Sequence, residues 1–463
     1  MPVPYPISDQ TNLEQISIVE EPAFVADRET FDHKVVKLFQ KVKIDYTWSF
    51  SDKTTKDTSY ITHGYYTYPA KFIPQLASRL IQTYSQENDI VVDVFGGSGT
   101  TVVEAMINKR FGIATDINEI AYLVAKVKST PIAPAELIAE FEKIEQSIKI
   151  KLSDEFTVYS QKALENLPKN DRIDYWFPQQ QKEVLSVIFD RILDVTNSDI
   201  KDFFLVVFAQ ILKSSSIWLQ KSIKPTRDLN KKLPKPDTLF FNQAKKMIKR
   251  NSDFVNLLDN EILQNINQHR IITCSDARNL PCGDGEAALI VTSPPYVTSY
   301  EYADLHQLPS LWFSYFEELP SFRKKFIGSA YKTREQEINL QSNIANSIVK
   351  KLGKTKKSTE VKTYFADMLE CFLEIKRVLK KGGKSCIVIG NTQFKGVDIL
   401  NAEVFAEQFL NIGFKIHDII LREIPSKMLP STRDSSSGQF VKATDTNLKL
   451  AYPTEYILIV EKS

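Results

Sequence analysis

The chain has 463 residues, 43% of them hydrophobic, with only 15 glycines and 21 prolines; this excludes a disordered or fibrous protein and allows roughly two to three domains. Lysine and arginine number 59 against 57 acidic residues, a formal charge of +2, so any affinity for phosphate must come from local patches. The four cysteines, Cys274, Cys282, Cys371 and Cys386, show no metal-binding spacing and are too few for a disulfide framework. They predict a reducing, cytoplasmic setting and no structural metal. The opening MPVPYPISDQTNLEQ has neither a basic start nor an apolar core, and no run of about eighteen apolar residues occurs, so neither secretion nor membrane spanning is expected.

In chain order, residues 1–45 form an amino-terminal segment with one short helical signal around Val35, Val36, Leu38 and Phe39, and no role follows from it. Ile90 to Phe95 reads as a buried strand, followed by the turn Gly96-Gly97-Ser98-Gly99-Thr100-Thr101 and a helix over Val102 to Lys109. A second strand, Phe111 to Thr115, ends on Asp116. From 131 to 268 amphipathic stretches dominate (Leu137 to Leu152, Lys182 to Thr196, Asp202 to Leu219), which predicts a large helical insertion with Trp176, Trp218, Phe203 and Phe204 in its core. Strands resume at Ile271 to Cys274, leading to Asp276, and at Ala287 to Thr292, leading to Ser293-Pro294-Pro295-Tyr296. A basic insert over about 320–360 precedes a long helix, Val361 to Lys380, expected to be capped by Gly382-Gly383. The remaining strands are Ser385 to Ile389, Lys415 to Leu421 and Tyr456 to Val460, with a helix at 402–411 and a flexible loop at Ser435 to Gly438. Alternating strands and helices predict an α/β, doubly wound sheet, split into halves at 46–130 and 269–463. The last two strands, with no helix between them, predict an antiparallel hairpin at one edge.

The glycine turn lacks the GxGxxG of a dinucleotide fold and the lysine of a P-loop. Its three glycines let the backbone bend sharply and approach a ligand without interference from Cβ atoms. Asp93 before the turn suits an ammonium group, Asp116 a pair of ribose hydroxyls, and Asp276 an adenine amino group. Strand ends of this kind face the ligand crevice of an open parallel sheet. Any one of these acids alone could equally be a solvated turn or a helix cap. Together with the turn they fit S-adenosylmethionine better than a cofactor held through phosphates.

Two consecutive prolines cannot donate hydrogen bonds or continue into a helix, so Ser293-Pro294-Pro295-Tyr296 is a locked, extended segment. The Ser293 hydroxyl and Pro294 carbonyl offer two acceptors, and Tyr296 offers an aromatic face. That set suits a planar base with an exocyclic amine, whose lone pair is delocalised until both of its hydrogens are accepted. Positioning and electrostatics would carry the transfer of a sulfonium methyl without a covalent intermediate. A base in duplex DNA would have to leave the stack at a cost of a few kcal/mol, partly offset by stacking on Tyr296. A Pro-Pro-Tyr string by itself is often a turn or a WW-domain ligand; the buried strand before it argues against that.

These motifs resemble those of the amino-methylating DNA methyltransferases, which act on cytosine N4 or adenine N6. Asp-Val-Phe-Gly-Gly-Ser-Gly-Thr-Thr at 93–101 is similar to the family's cofactor motif, Asp-Pro-Phe-x-Gly-Ser-Gly-Thr-Thr, with Val94 in place of proline. Thr-Ser-Pro-Pro-Tyr at 292–296 is similar to the catalytic motif. His63 to Pro74 is similar to the segment that closes over the methionine end of the cofactor. The resemblance spans about 60–130 and 270–463. It implies a Rossmann-like methyltransferase sheet with S-adenosyl-L-methionine as donor and Ser293, Pro294, Pro295 and Tyr296 as the base-holding segment. At the cofactor it implies Lys71, Phe72, Asp93, Phe95, Gly96, Gly97, Ser98, Gly99, Thr100, Asp116, Ile117, Asp276 and Ala277.

Serine at the first tetrad position is typical of the family's cytosine-N4 members, whereas the order here, cofactor motif first, departs from their common arrangement. The expected activity is cytosine-N4 methylation of double-stranded DNA in a restriction-modification or related defence context, with a cognate restriction nuclease as a further partner. Adenine-N6 methylation is the alternative. An RNA guanine-N2 enzyme would show Asp-Pro-Pro-Tyr and a separate amino-terminal RNA-binding module, and a non-catalytic regulator would tolerate loss of Ser293 or Tyr296. A cytosine-C5 enzyme using Cys282 is rejected, because no Glu-Asn-Val partner motif occurs.

Residues 221–250 hold ten cations against Asp228 and Asp237, and Pro225, Pro234 and Pro236 break the stretch into loop. Backbone phosphate contact is expected at Lys221, Lys224, Arg227, Lys231 and Lys232, with Arg433 of the serine-rich loop as a further candidate. A second basic stretch, Arg323 to Lys362, competes for that role. His63 and His306 read as hydrogen-bonded structural residues.

Overall fold

The computed structural model describes residues 28–69, 71–153, 156–165, 167, 169–297, 302–331, 339–394, 396–425, 432–434, 448–450 and 453–463. The Ser435 to Gly438 loop, Ala70 and the first 27 residues lie outside this set.

One seven-stranded sheet organises the chain. Its strands are β1 (Ile90–Asp93), β2 (Phe111–Thr115), β3 (Arg270–Thr273), β4 (Ala287–Thr292), β5 (Leu379–Ile389), β6 (Phe414–Glu423) and β7 (Thr454–Lys462). They lie in the order β3-β2-β1-β4-β5-β7-β6. The first five are parallel, and β7 runs antiparallel to both β5 and β6, so the expected hairpin forms with β6 at the edge. All six residues of β4 are buried, as a central parallel strand covered on both faces requires. Strand order reverses between β1 and β4, which pair through Val91 with Leu289 and Val92 with Ile290. Ligands of doubly wound sheets bind at such a switch point, outside the carboxyl ends of the strands. The glycine turn and the Ser-Pro-Pro-Tyr segment leave from those two ends.

The insertion is helical: Pro134–Ser153, Phe156–Glu165, Asp171–Trp176, Gln179–Leu193, Ser198–Ser215 and Pro236–Val255. Asn170 and Asn197 cap two of these helices by accepting from backbone N–H groups. Trp176, Trp218, Phe203 and Phe204 are buried in its core, and the two indoles stack at 5.2 Å. The same core takes in helix Glu119–Lys128, Tyr65, Tyr66, Tyr68 and Leu308 to Trp312, so the insertion packs directly on the sheet side of the chain.

One expected boundary is corrected. The long helix spans Lys356–Val378, and the backbone is extended from Leu379 onward. Gly382 and Gly383 therefore lie inside β5 rather than capping the helix. Gly382 has φ +75°, and the β4–β5 register slips between Ala287 and Leu289, so the glycines accommodate an irregularity in the sheet.

Candidate active site

Asp93, the last residue of β1, is 2% exposed, and its carboxylate is the meeting point of both motifs. Oδ2 accepts from the Thr101 hydroxyl at 2.7 Å, and Oδ1 accepts from the Thr292 hydroxyl at 2.6 Å and from the Phe95 N–H at 3.1 Å. Burial pushes this carboxyl up to about 6, against the pull of those three donors. Thr101 lies in the first turn of the helix after the glycines and Thr292 closes β4, so two residues that the sequence places within the motifs but gives no role tie the motifs together. Their signal was membership of the two motifs, at the last position of one and the first of the other.

Gly97 has φ +48° and Gly99 φ +75°, a conformation that side chains disfavour. A Cβ on Gly99 would lie 2.8 Å from the Ala125 Cα, so this glycine lets helix Glu119–Lys128 pack closely, which differs from the expected approach to a ligand. A Cβ on Gly97 would lie 3.4 Å from the Tyr68 ring. Tyr68 in turn stacks on His306 at 4.7 Å. Burial holds His306 down at about 4 and so neutral, and His63 is buried against Glu104 at 2.7 Å.

Asp116 stands beside the turn at the end of β2. Its Oδ2 accepts the Gly97 N–H at 2.9 Å and its Oδ1 the Asn118 N–H at 2.9 Å. Each ionised oxygen keeps a lone pair for a further donor. Burial pushes this carboxyl up to about 6, while the two N–H donors pull it down. The Thr100 hydroxyl at the start of the helix is buried with no partner among the described residues. A buried hydroxyl left in this way at the end of the turn fits a hydrogen-bonding ligand there.

The other expected cofactor residues divide. Gly96 donates its N–H to the Thr115 carbonyl, Ser98 accepts from the buried Lys128 ammonium at 3.3 Å, and Ile117 packs against the cluster of Ala303, Leu319, Phe322 and Phe326. Lys71 donates to the His63 carbonyl at 2.9 Å, and burial lowers its ammonium to about 8. Phe95 and Ala277 pack into the core that contains Val92, Val94 and Ile113, whereas Phe72 packs with Leu76, Val91 and Leu289 in a different cluster. Asp276 is chelated by Arg278, whose Nε and Nη2 donate to its two oxygens at 2.8 and 2.6 Å. Arg278 also reaches Asp367 and Glu370 on the long helix, so an adenine amine would share Asp276 with a guanidinium.

In the Ser-Pro-Pro-Tyr segment, Ser293, Pro295 and Tyr296 are half-buried and Pro294 is buried. The Pro295 carbonyl accepts from the Tyr364 hydroxyl at 2.8 Å, and the Tyr296 hydroxyl accepts from the Gly390 N–H at 3.0 Å. The segment is thus held at its backbone and at the far end of its ring. Cys282 is buried and its thiol is pushed up to about 11 by burial, the opposite of an activated nucleophile.

The basic loop separates into two kinds of lysine. Lys231 donates to the carbonyls of Lys213, Ser216 and Trp218 at 2.7 to 2.8 Å, tying off the carboxyl end of helix Ser198–Ser215. Its ammonium is therefore engaged, contrary to the expected exposure to phosphate. Lys221, Lys224, Arg227 and Lys232 are exposed, and the Arg227 guanidinium lies 4.2 Å from the centre of the Tyr175 ring. Lys245, Lys246, Lys249 and Arg250 belong to helix Pro236–Val255 instead, where Arg250 donates to the Gly64 carbonyl. Arg433 lies on the short strand Thr432–Asp434.

This arrangement, with a glycine turn on one strand tip and a proline-locked aromatic segment on the next at the switch point of the sheet, defines a Rossmann-like fold. A family model described as DNA methylase, of the N6/N4 type, matches residues 9–127 and 287–463. The chain belongs to this family of amino-methylating DNA methyltransferases, and the helical insertion falls in the gap between the two matched stretches. The chain is 28% identical over 427 residues to the Type II methyltransferase M.MvaI of Kocuria varians, covering 86% of this chain and 91% of that protein. It is 22% identical over 444 residues to the Type II methyltransferase M.BsoBI of Geobacillus stearothermophilus, covering 84% and 83%. A shorter stretch of 86 residues is 36% identical to the Type II methyltransferase M.MjaII of Methanocaldococcus jannaschii, covering 19% and 16%. No helix among the described residues is long and apolar enough to cross a membrane.

Proposed function

We propose that the protein transfers a methyl group from S-adenosylmethionine to the N4 amine of a cytosine turned out of double-stranded DNA. The observation that carries this reading is the hydrogen bond between Thr292 and Asp93, which fixes the glycine turn and the Ser-Pro-Pro-Tyr segment side by side at the switch point. Bound at the turn, S-adenosylmethionine supplies an electrophilic sulfonium methyl. Asp116 accepts from its ribose hydroxyls, and the Thr100 hydroxyl gains a partner there. Ser293 and the Pro294 carbonyl accept the two hydrogens of the target amine, which frees the nitrogen lone pair for attack on the methyl carbon; the sulfur leaves as the neutral thioether S-adenosylhomocysteine, and the nitrogen gives up one of its protons to solvent. Tyr296 stacks on the base and offsets part of the cost of leaving the helix, a few kcal/mol. No side chain has to act as a covalent nucleophile.

Serine at position 293 supports cytosine. Adenine N6 is the second reading, favoured by the order of the motifs along the chain. Lys221, Lys224, Arg227, Lys232 and Arg433 are the proposed phosphate contacts. Relatives that are Type II methyltransferases support a restriction-modification role alongside a cognate nuclease.

The test is label transfer from tritiated S-adenosylmethionine to duplex DNA and to RNA, with wild type and the Ser293→Ala variant. Label in DNA, reduced about 100-fold or more by the substitution, is the expected outcome. Label found in RNA alone contradicts the substrate class.

A further inference from the structure

We propose that Glu455 and Arg422, at the carboxyl-end tip of the sheet, are positioning residues that hold the Tyr296 ring where it meets the target base. The proposal rests on the reading of Ser293 to Tyr296 as the base-holding segment. It adds two residues that lie more than a hundred positions downstream, on the β6–β7 hairpin.

Sheet register sets the first link. Glu455 on β7 lies directly opposite Arg422 on β6, and Arg422 Nη1 donates to Glu455 Oε1 at 2.6 Å. Both residues are buried, at 3% exposure for Arg422 and 9% for Glu455. The second link reaches the site. The Tyr296 hydroxyl donates to Glu455 Oε2 at 3.5 Å while accepting the Gly390 N–H at 3.0 Å. A backbone N–H can only donate, so the phenolic proton is turned away from Gly390, and the Glu455 carboxylate is within reach as its acceptor. Position 390 also needs to lack a side chain, because a Cβ there would come within 3.3 Å of the Tyr296 hydroxyl.

Stability alone is a poor account of this pair. A buried ion pair of this kind is often replaceable by apolar residues at no loss, since desolvation offsets its attraction. Arg422 carries an added cost: its Nε is buried with no partner among the described residues. What the pair does accomplish is geometric. A tyrosine ring swings about two side-chain torsions, and anchoring its far end restrains both. Tyr364 meanwhile holds the Pro295 carbonyl from the long helix. Backbone and ring are thus fixed from different elements, which suits a surface that must present one face to a flipped base.

The experiment compares wild type with Glu455→Ala, Glu455→Gln, Tyr296→Phe and the Glu455→Ala/Tyr296→Phe double variant. It measures kcat and KM for genomic DNA by tritium transfer, S-adenosylhomocysteine affinity by calorimetry, and thermal melting. Glu455→Ala should lower kcat about 10- to 100-fold with homocysteine-product affinity unchanged, and Glu455→Gln, which keeps an acceptor, should recover much of the loss. Because the effect runs through the hydroxyl, the double variant should be within about twofold of Tyr296→Phe alone. An active wild type with a Glu455→Ala variant of full kcat overturns the positioning role alone, as do losses that multiply in the double variant. A wild type that transfers no methyl group to DNA overturns the base-holding reading, and the positioning role falls with it.

Discussion

Thr292 donates its hydroxyl to Asp93 Oδ1 at 2.6 Å, joining residues 199 positions apart in the chain. The bond spans the two strands between which the sheet order reverses, and it sets the spacing of the two motifs on either side of the crevice. Thr292→Val keeps the shape of the side chain and removes the donor. A buried acceptor left short of a partner costs about 1–3 kcal/mol, so the urea-unfolding midpoint should fall. S-adenosylhomocysteine affinity should fall with it, because the Phe95 N–H that starts the turn also points at Thr292. An unchanged midpoint and affinity would show that the bond does not organise the turn.

The Asp116 carboxyl is raised to about 6 by burial, and only its ionised form can accept from two hydroxyls. Cofactor affinity should therefore be steady above pH 7 and weaken as pH drops through about 6, approaching tenfold per pH unit below that point when binding requires the ionised form. Asp116→Asn should bind weakly and flatten the pH dependence, leaving the part contributed by Asp93, whose carboxyl burial also raises to about 6. Calorimetry with S-adenosylhomocysteine between pH 5 and 8 checks this, and an affinity independent of pH in the wild type contradicts the assignment of Asp116.

Lys231 and its neighbours should separate in solution as they do in the fold. Lys231→Met removes the donor shared by three carbonyls and should lower the melting temperature. The triple variant Lys221→Ala/Lys224→Ala/Lys232→Ala should melt like wild type. Its DNA binding should weaken, with a salt dependence shallower by up to about 0.9 in log–log slope for each phosphate no longer neutralised. Equal DNA affinity and slope in the triple variant would remove this loop from the DNA interface.

Cys282→Ala should leave methyl transfer within about twofold of wild type, because a thiol raised to about 11 is not a thiolate at neutral pH. Complete loss of activity in a folded variant would point to nucleophilic chemistry instead.

What could be read from the sequence was what short-range pattern encodes. The run from Ile90 to Asp93 before the glycines, the six apolar-rich residues of β4 before Ser293, and the lack of a helical pattern in the sequence between β6 and β7 each announce their structure locally. Charge counting failed where tertiary contacts decide. Lys231 looked like its neighbours until the end of a helix supplied three carbonyls for it, and Asp276 looked like an open acceptor until Arg278 folded onto it. Gly382 and Gly383 follow a helix and resemble a cap, yet the chain goes straight into β5. Glu455 and Arg422 carry no motif at all. Only the antiparallel register that sets them opposite each other beside Gly390 brings them to Tyr296.

The central claim concerns which atom receives the methyl group, and nucleoside mass spectrometry of duplex DNA incubated with the protein and isotopically labelled S-adenosylmethionine tests it most directly. The account predicts label in N4-methylcytosine, lost in Ser293→Ala and Tyr296→Ala. Label in N6-methyladenine would contradict the cytosine assignment, and label in 5-methylcytosine would contradict the amine-methylating site itself.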